Sequence, residues 1–330
     1  MPVRVAAVHP ACAIEGGRIT IEGTGFPVDG PSLPEVRMGG LAARLVYASP
    51  TQLSAIVPAG LTSGRTPVSL AATPDEIAFV DIAAPLATGL HQVDNPIFDR
   101  DDNLYVTYSG TRGQQVPVSI FRVRPNGTRE PFSSGIVNPT SMAIDPQNRL
   151  YVSSRFEGTV YRVAPDGTTE PFAHHLGVAC GLAFSRDGTL FVGDRSGTIF
   201  KVDRSGRATT FASLPASVAA FHLAFGPDEA VYVTGPTLSS YDELFRIAPD
   251  GTVTTLYGRF GRPQGLAFDP GGALFVVEAL AGSSGLYRVP PIGAPELVLS
   301  GPGLVGVAFD AAGNMVVASN DTAYRLSRSA

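Results

Sequence analysis

Four oxygen-bearing side chains occupy matching places in a repeated strand pattern, and their chemistry is that of a cation site or a general base. Asp94 and Gln264 precede the first strand of a repeat, and Asp194 and Glu278 end the second strand. Antiparallel neighbours reverse direction, so a strand that begins and a strand that ends meet at the same edge of a sheet. We therefore expect all four side chains to face one axial cavity, the mouth.

Carboxylates that converge without a Lys or Arg between them repel one another. A bound divalent cation would relieve this repulsion, and so would a raised pKa that makes one carboxylate a general base. Oxygen ligands favour Ca²⁺ or Mg²⁺ over Zn²⁺. The predicted metal ligands are Asp94, Asp194, Glu278 and Gln264, and Asp194 or Asp94 is the predicted catalytic carboxylate. In the alternative, the three carboxylates point apart, are solvated at the rim and bind nothing.

Further polar residues lie in the connections at the same rim, where long loops usually carry specificity. The first repeat has an insertion over residues 108–115, and the fourth is lengthened over 236–242. The candidate substrate-binding residues at this rim are Arg112, Gln114, Arg155, His222 and Tyr241. Arginine, amide and hydroxyl groups of this kind bind the carboxylate or hydroxyls of a small ligand. Alternatively, each of the loop residues is simply solvated.

Residues 138–177 show the repeat that must position these groups. Alternation of apolar and polar residues predicts four short strands, Ser141–Ile144, Arg149–Ser153, Thr159–Val163 and Thr169–Ala173. Residues 145–148 and 164–167 are hairpin turns in which Pro fixes φ early and Asn148 or Gly167 accepts a positive φ late. A four-stranded sheet this short needs neighbours of its own kind.

Those neighbours are present along the rest of the chain. The residue ending the first strand recurs in steps of between 40 (Asp145 to Ser185) and 46 (Asp99 to Asp145) residues. The six anchors are Asp99, Asp145, Ser185, Gly226, Asp269 and Asp310. Because the sixth unit ends after its third strand, we expect residues 78–87 to supply the missing outer strand. The pattern predicts a six-bladed β-propeller closed by a strand from before the first blade.

The first part of the chain shows strands without this repeat. The predicted strands are Arg18–Glu22, Glu35–Met38, Ala42–Tyr47, Gln52–Ile56 and Pro67–Ala71. Short strands at this spacing indicate a small β-sandwich. The predicted fold is therefore all-β, with an immunoglobulin-like sandwich over residues 1–75 followed by the propeller over 76–330. Little linker remains between them, which favours contact between the two domains.

Composition narrows the possible partners and compartments. A net charge of −5 with no basic block argues against nucleic acid as a partner. No apolar run reaches the length of a membrane span, and the N-terminus lacks the pattern of an export signal. We therefore expect no membrane partner and a cytoplasmic location, or an extracellular or periplasmic one if a signal was removed. Cys12 and Cys180 fall in different domains, so no structural disulfide is predicted.

The first segment resembles the IPT/TIG immunoglobulin-like family. The resemblance is carried by GGRITIEGTGFP at 16–27, the strand Ser49 to Val57 and the turn VPAG at 57–60. It implies a spacer or interaction module without catalytic residues, and hence a possible protein partner through this domain.

The repeats resemble the six-bladed propellers of the regucalcin and gluconolactonase type, with NHL-repeat proteins close behind. Asp94 stands where that family has the metal-binding Glu, and Asp194 ends LFVGD where the family has its metal-binding Asp. The family's two Asn ligands are replaced by Cys180 and by Thr140, with Asn138 as a possible substitute for the latter. The resemblance implies a catalytic divalent cation at the mouth.

Two functions follow from these residues. The first is a metal-assisted hydrolase, or lyase, acting on a small lactone or polyhydroxylated ligand at the mouth. The second is a non-catalytic propeller with a degenerate metal site that binds a protein or glycan. The acidic residues favour the first hypothesis, and the replaced Asn positions favour the second.

Overall fold

The first domain is a β-sandwich built from eight short strands. The computed structural model describes residues 2–280 and 282–326, and all regular elements assigned there are strands. The strands of this domain are β1 (Arg4–His9), β2 (Cys12–Ala13), β3 (Arg18–Thr24), β4 (Val36–Met38), β5 (Leu41–Ala48), β6 (Gln52–Ile56), β7 (Gly64–Leu70) and β8 (Thr73–Ile82). The five predicted strands correspond to β3 to β7. Sequence alternation missed β1, β2 and β8.

The core of this domain follows from the alternation. Ile19 and Ile21 point inward from β3, and Leu53 and Ala55 point inward from β6, all essentially without exposure. The charged neighbours on β3, Arg18 and Glu22, face outward, whereas Ser54 on β6 is buried with its hydroxyl 3.3 Å from that of Thr20. Gly23 has to be glycine, because a Cβ there would lie 2.0 Å from the carbonyl oxygen of Arg4 on β1.

The repeats fold as antiparallel four-stranded meanders. The first three comprise β10 (Ile97–Phe98), β11 (Leu104–Thr107), β12 (Ile120–Val123), β13 (Arg129–Ser133), β14 (Pro139–Ile144), β15 (Leu150–Ser154), β16 (Thr159–Val163), β17 (Thr169–Ala173), β18 (Ala179–Phe184), β19 (Leu190–Asp194), β20 (Thr198–Val202) and β21 (Ala208–Ser213). The others comprise β22 (His222–Phe225), β23 (Val231–Thr234), β24 (Asp242–Ile247), β25 (Val253–Phe260), β26 (Pro263–Phe268), β27 (Leu274–Glu278), β28 (Gly285–Val289), β29 (Glu296–Ser300), β30 (Leu304–Phe309), β31 (Met315–Ser319), β32 (Ala323–Leu326) and, from before the first repeat, β9 (Ala84–Ala87).

The second repeat shows how closely local pattern decides the strands. The predicted strands agree with β14 to β17 to within two residues, and β16 and β17 agree at both ends. Its turns contain the expected positive φ angles, 64° at Asn148 and 85° at Gly167. At Gly167 a side chain is also excluded, because a Cβ would lie 1.9 Å from the carbonyl oxygen of Phe132 in the preceding sheet.

The prediction of a six-bladed propeller has to be corrected, because five blades are found as sheets of their own. Five four-stranded sheets stand alone, whereas strands β26 to β29 form one end of a twelve-stranded sheet that continues into the first domain. Strand β2 lies between the two parts and pairs in parallel with both β8 and β29. The unpaired edge of an outer strand is a template for another strand, and here β2 occupies that edge. The expected contact between the domains is therefore a shared sheet.

The outer strand supplied from before the first repeat is shorter than the predicted 78–87. Residues 73–82 form β8 and pair with β7 in the first domain. The four residues of β9 pair with β32, with Ala87 opposite Ala323 and Pro85 opposite Tyr324. Residues up to Ile82 are paired with β7 and are not available to the last repeat. The chain leaves the sheet of the first domain at Ala83, and only the residues after it pair with β32. Residues 327–330 lie outside the described residues.

Apolar side chains fill the spaces between neighbouring sheets of the propeller. Val152, Val192 and Val233 occupy corresponding inner positions and are fully buried. Among the residues that the structure describes, Phe221 is the largest fully buried side chain. It leaves no room for a Cβ at Gly235, which would lie 2.6 Å from its ring. None of the described chain forms a helix with the length and hydropathy of a membrane span.

Candidate functional site

A cavity of about 530 Å³ lies where the first strands of several repeats begin. It is bounded by the connections that precede first strands and by those that follow second strands, so it is the predicted mouth. The residues that line it include Arg112, Arg155, Arg195, Cys180, Gln264 and Asn320. The lining thus contains three guanidinium groups and no carboxylate.

The three arginines come from three successive repeats. Arg112 lies on the connection between β11 and β12, Arg155 follows β15, and Arg195 follows β19. Arg155 is half-buried, whereas the other two are exposed. Within residues 2–280 and 282–326, none of the three side chains forms an ion pair or a hydrogen bond with another residue. The three arginines therefore bring positive charge to the cavity without an ion-paired partner among the described residues.

The charges on this cavity act on one another. Burial, together with the positive charges of Arg112 and Arg195, lowers the pKa of Arg155 below its usual value. Burial and the charge of Arg155 also lower the pKa of His91, which favours a neutral imidazole. Arginine stays protonated in proteins, so the positive charges of Arg112, Arg155 and Arg195 remain close together at this cavity. An anion bound among them would reduce their mutual repulsion.

The loop carrying Arg112 is fixed in place by Asn138. The Asn138 amide nitrogen donates to the carbonyl oxygens of Ser109 (2.7 Å) and Thr111 (2.8 Å). Its amide oxygen accepts a hydrogen bond from the Gly113 N–H at 2.6 Å. Asn138 is fully buried and has a positive φ of 49°, a conformation that Asn tolerates better than most residues. Its amide group is thus used to hold the loop, and it is not available as a metal ligand.

Asp94 and His222 form a buried pair behind the cavity. Asp94 Oδ1 lies 2.6 Å from His222 Nδ1 and also accepts the Asn95 N–H at 2.7 Å. Both residues are almost fully buried, and neither lines the cavity. His222 Nε2 is buried and has no hydrogen-bond partner among the described residues. The pair brings a predicted catalytic carboxylate together with a predicted ligand-binding histidine, but outside the lining of the cavity.

Asp194 closes a turn within its own repeat. Its carboxylate accepts the Val178 N–H at 2.7 Å and the Ser196 hydroxyl. Val178 precedes β18, so the carboxylate holds the entry of the first strand against the end of the second. The residue that ends the second strand holds the two strands together in the second repeat as well. There the Ser154 hydroxyl donates to the Val137 carbonyl at 2.6 Å.

Glu278 closes the corresponding turn in the fifth repeat. Its two oxygens accept three backbone N–H groups, those of Gly261 (2.6 Å), Arg262 (2.7 Å) and Leu280 (2.7 Å). Backbone donors satisfy this carboxylate without a cation. The hydrogen bonds also orient it toward its own turn rather than toward the axis.

The predicted convergence of Asp94, Asp194 and Glu278 is therefore corrected. Across the described ranges, no three His, Cys, Asp or Glu side chains form a group that can hold a metal ion. The oxygens of the carboxylates are bonded to backbone amides, Ser196 or His222, and Cys180 stands at a position of the implied Asn ligand. The residues present do not fit the divalent-cation site that the gluconolactonase resemblance implies.

The remaining predicted residues divide between cavity and loop. Gln264 lines the cavity, and its backbone carbonyl accepts the Thr234 hydroxyl at 2.5 Å. Gln114 Oε1 instead accepts the N–H and hydroxyl of Thr111, which closes the loop that presents Arg112. Tyr241 is exposed on the connection between β23 and β24 and is not part of the cavity lining.

The sequence analysis missed Arg195 altogether and missed the loop-holding role of Asn138, and the repeat contained a signal for the first of these. Arg195 follows the second strand of the third repeat, as Arg155 does in the second, so alignment of the repeats would have paired them. The loop-holding role of Asn138 has no such signal, because it depends on an insertion in a different repeat.

Cys180 is a protonated thiol at the inner end of the cavity. It is buried, and its sulfur lies 3.2 Å from the Val178 carbonyl oxygen. Burial raises the pKa of Cys180 to about 12, although the Phe221 backbone amide and Arg155 act in the opposite direction. Neither cysteine forms a disulfide, as predicted. At neutral pH this thiol presents a small, weakly polar surface rather than a nucleophile.

These features define the chain as an immunoglobulin-like domain joined to a β-propeller whose mouth is cationic. Comparison with protein families matches residues 3–79 to the IPT/TIG domain. No curated protein matches the sequence.

Three of the solved structures that resemble the chain are described by different functions. A gluconolactonase from Xanthomonas campestris is 16% identical with a TM-score of 0.62, and the match covers 90% of this chain and 97% of that one. An auxiliary nutrient binding protein from Bacteroides thetaiotaomicron is 14% identical with a TM-score of 0.59, covering 99% and 98%. A catalytically inactive virginiamycin B lyase from Staphylococcus aureus is 13% identical with a TM-score of 0.54, covering 99% and 96%. At these identities the likeness shows a shared fold.

Proposed function

We propose that the propeller mouth binds a ligand through a carboxylate or another anionic group. The observation that carries this proposal is the convergence of Arg112, Arg155 and Arg195 on one cavity without an acidic partner among the described residues. Guanidinium groups bind carboxylates in a planar, two-point geometry, and charge-assisted hydrogen bonds of this kind are about twice as strong as neutral ones. Burial is the main cause that lowers the pKa of Arg155, and the charges of Arg112 and Arg195 add to it. A bound anion would offset the repulsion among the three guanidinium groups.

The rest of the lining suits the same kind of ligand. Gln264 and Asn320 offer amide groups on the cavity, and protonated Cys180 offers a weak donor. A cavity of about 530 Å³ falls within the range of ordinary small-molecule sites. Ligands of this class include small dicarboxylates, sugar acids and acidic side chains of peptides.

Isothermal titration calorimetry with glutarate, beside its neutral diamide, tests the proposal. We expect the dicarboxylate to bind and the diamide not to bind. Arg155→Gln and Arg195→Gln each remove one charge-assisted interaction and are expected to weaken binding about 10-fold, at roughly 1.4 kcal/mol per decade. Raising the salt concentration should weaken binding as well, because the exposed guanidinium groups are screened.

Arg259→Gln is the matched control. Arg259 is exposed on β25, away from the cavity, and its substitution removes the same charge from the molecule. Equal binding of the diamide and the dicarboxylate, or equal losses in Arg259→Gln and Arg155→Gln, would remove the basis for an anion site.

A second candidate is hydrolysis of a small lactone or polyhydroxylated ligand, and the Asp94–His222 pair favours it. A carboxylate on Nδ1 orients an imidazole and leaves Nε2 to accept a proton, the arrangement of a general base. Because both residues lie behind the cavity lining, they reach a ligand only if the inner end of the cavity opens. We therefore rank this candidate below binding, and no step in it is assigned to a cation.

Turnover of a lactone panel, measured with and without added calcium or magnesium, tests the second candidate. General-base catalysis predicts activity in the wild type and a loss of about 100-fold or more in His222→Gln. Activity that is unchanged in His222→Gln would reject the pair as the base. The absence of turnover on every lactone would leave the binding proposal standing alone.

A further inference from the structure

The connections around the mouth expose large apolar side chains. Phe156 follows Arg155, Val218 precedes β22, Leu238 and Tyr241 lie between β23 and β24, and Leu280 follows Glu278. These side chains come from four connections that all open on the mouth. Among the described propeller residues, the other exposed large apolar side chains are Leu256 on an outer strand and Ile292 on the opposite face. Apolar exposure is therefore concentrated on the face that holds the cavity.

The mouth face presents arginines at the cavity, whereas most of its carboxylates are buried. Its connections contain Arg112, Arg155, Arg195 and Arg262, against Glu157, Asp321 and the buried Asp94, and the strand ends of the same face add the buried Asp194, Asp242 and Glu278. On the opposite face, the turn after each first strand contains an acidic residue: Asp99, Asp145, Asp187, Asp228, Asp269 and Asp310. The chain as a whole has a net charge of −5, so the three arginines that line the cavity are a local concentration and not an effect of composition.

We propose that the mouth face binds an acidic peptide segment of a partner protein. In this proposal, which rests on the proposed anion site, an Asp or Glu side chain enters the cavity between Arg112, Arg155 and Arg195. Apolar side chains on either side of that carboxylate pack on Phe156, Leu238 and Tyr241. The partner is thus defined by a carboxylate with apolar neighbours.

The arrangement of the rim favours a peptide over a small acid. A small dicarboxylate inside the cavity satisfies the arginines but leaves the apolar side chains of several connections in water. An extended peptide advances about 3.3 Å per residue, so a few residues on either side of one carboxylate cross the mouth and cover the rim. Aromatic residues and arginine are the side chains most enriched at energetically important positions of protein interfaces.

Selection from a library of random displayed peptides, on the wild-type protein and on the Arg155→Gln/Arg195→Gln double variant, tests this inference. We expect the wild type to enrich peptides with Asp or Glu beside apolar residues, and the double variant not to enrich them. The best synthetic peptide is then titrated by fluorescence anisotropy, beside a version with its acid replaced by the amide. The amide version is expected to bind at least about 10-fold more weakly.

Rim variants separate a peptide from a small acid. Leu238→Ser and Tyr241→Ser are expected to weaken the peptide several-fold and to leave glutarate binding unchanged. Ile292→Ser is the matched control for Leu238→Ser, because both side chains are 93% exposed and Ile292 lies on the opposite face. The control is expected to bind the peptide as the wild type does.

Each other outcome overturns the inference. If glutarate binds but the selection enriches no peptide, the peptide proposal is wrong and the anion site stands. The same conclusion follows if the peptide binds no more tightly than glutarate. If octanoate binds as tightly as the peptide and depends on the same rim residues, the occupant is a small amphipathic acid. If neither glutarate nor peptide binds, the anion site itself fails.

Discussion

His222 Nδ1 lies 2.6 Å from Asp94 Oδ1, and the two residues are 128 positions apart in the sequence. The contact joins the start of the first repeat to the start of the fourth. Both side chains are almost fully buried, and the Asn95 N–H donates to the same carboxylate oxygen. The pair therefore links distant repeats through a group that water does not reach.

Substitution of Asp94 tests this link. Asp94→Ala leaves the His222 Nδ1 and the Asn95 N–H buried without their partner, and we expect a loss of about 3 kcal/mol or more in unfolding free energy. Asp94→Asn retains a hydrogen-bonding oxygen and is expected to lose less. Chemical denaturation measures both, with Asp166→Ala in an exposed turn as the control. An Asp94→Ala protein as stable as Asp166→Ala would show that the pair contributes nothing to the fold.

Asp194 and Glu278 are expected to act on stability rather than on cation affinity. Asp194→Ala leaves the Val178 N–H and the Ser196 hydroxyl without their acceptor, and Glu278→Ala does the same to three backbone N–H groups, at a cost of about 2 kcal/mol or more each. A divalent-cation site at the mouth stays a prediction, and thermal unfolding with calcium, with magnesium and with EDTA tests it. We expect one Tm in all three conditions. A Tm that calcium raises in the wild type but not in Asp194→Ala would establish the metal site instead.

Asn138 is expected to position Arg112 by holding the loop that carries it. Asn138→Gly preserves the positive φ of 49° but removes the amide that holds residues 109–113. We expect glutarate affinity to fall several-fold and hydrogen exchange of the 109–113 amides to accelerate. Arg112→Gln is the comparison, because it should weaken glutarate without accelerating exchange. Unchanged exchange in Asn138→Gly would show that the loop holds itself in place.

Both thiols are expected to be unreactive in the folded protein. Burial raises the pKa of Cys180 to about 12, and burial with the charge of Asp81 raises that of Cys12 to about 11. At pH 9.5 we expect alkylation by iodoacetamide on the order of 100-fold slower than for a free thiol of pKa about 8.5. Mass spectrometry after timed quenching measures the rate at each cysteine. Alkylation of Cys180 at the free-thiol rate would show that the inner end of the cavity is open to solvent.

The same shifts predict a direction for stability. Between about pH 8.5 and pH 9.5 the unfolded chain releases thiol protons that the folded chain retains, so the unfolding free energy should fall as pH rises. Comparison of wild type with Cys12→Ala/Cys180→Ala at both pH values measures this contribution. The double variant should lose less stability over the interval than the wild type does.

Strand pattern and turn chemistry in the sequence were sufficient for most of the fold. The alternation in Thr159–Val163 and the turn residues Asn148 and Gly167 act over a few residues, so they are read correctly without knowledge of the rest. Repetition of that local pattern then predicted a propeller, and the glycines and strands of the first segment predicted an IPT/TIG domain. The parallel pairing of β2 with β29 could not be predicted, because nothing in a single sequence indicates that Cys12 and Leu299 are neighbours.

The site divides in the same way. The sequence by itself determined that Asp94, Asp194, Glu278, Arg112 and Arg155 lie at one face, because strand direction fixes the end at which a connection emerges. Only the tertiary structure decided which of them meet. A carboxylate is bound by whichever donors its turn presents, and the amides near Asp194 and Glu278 reach those carboxylates within one repeat. Arg112, Arg155 and Arg195 have no hydrogen-bond or ion-pair partner of this kind among the described residues, and their side chains line the cavity.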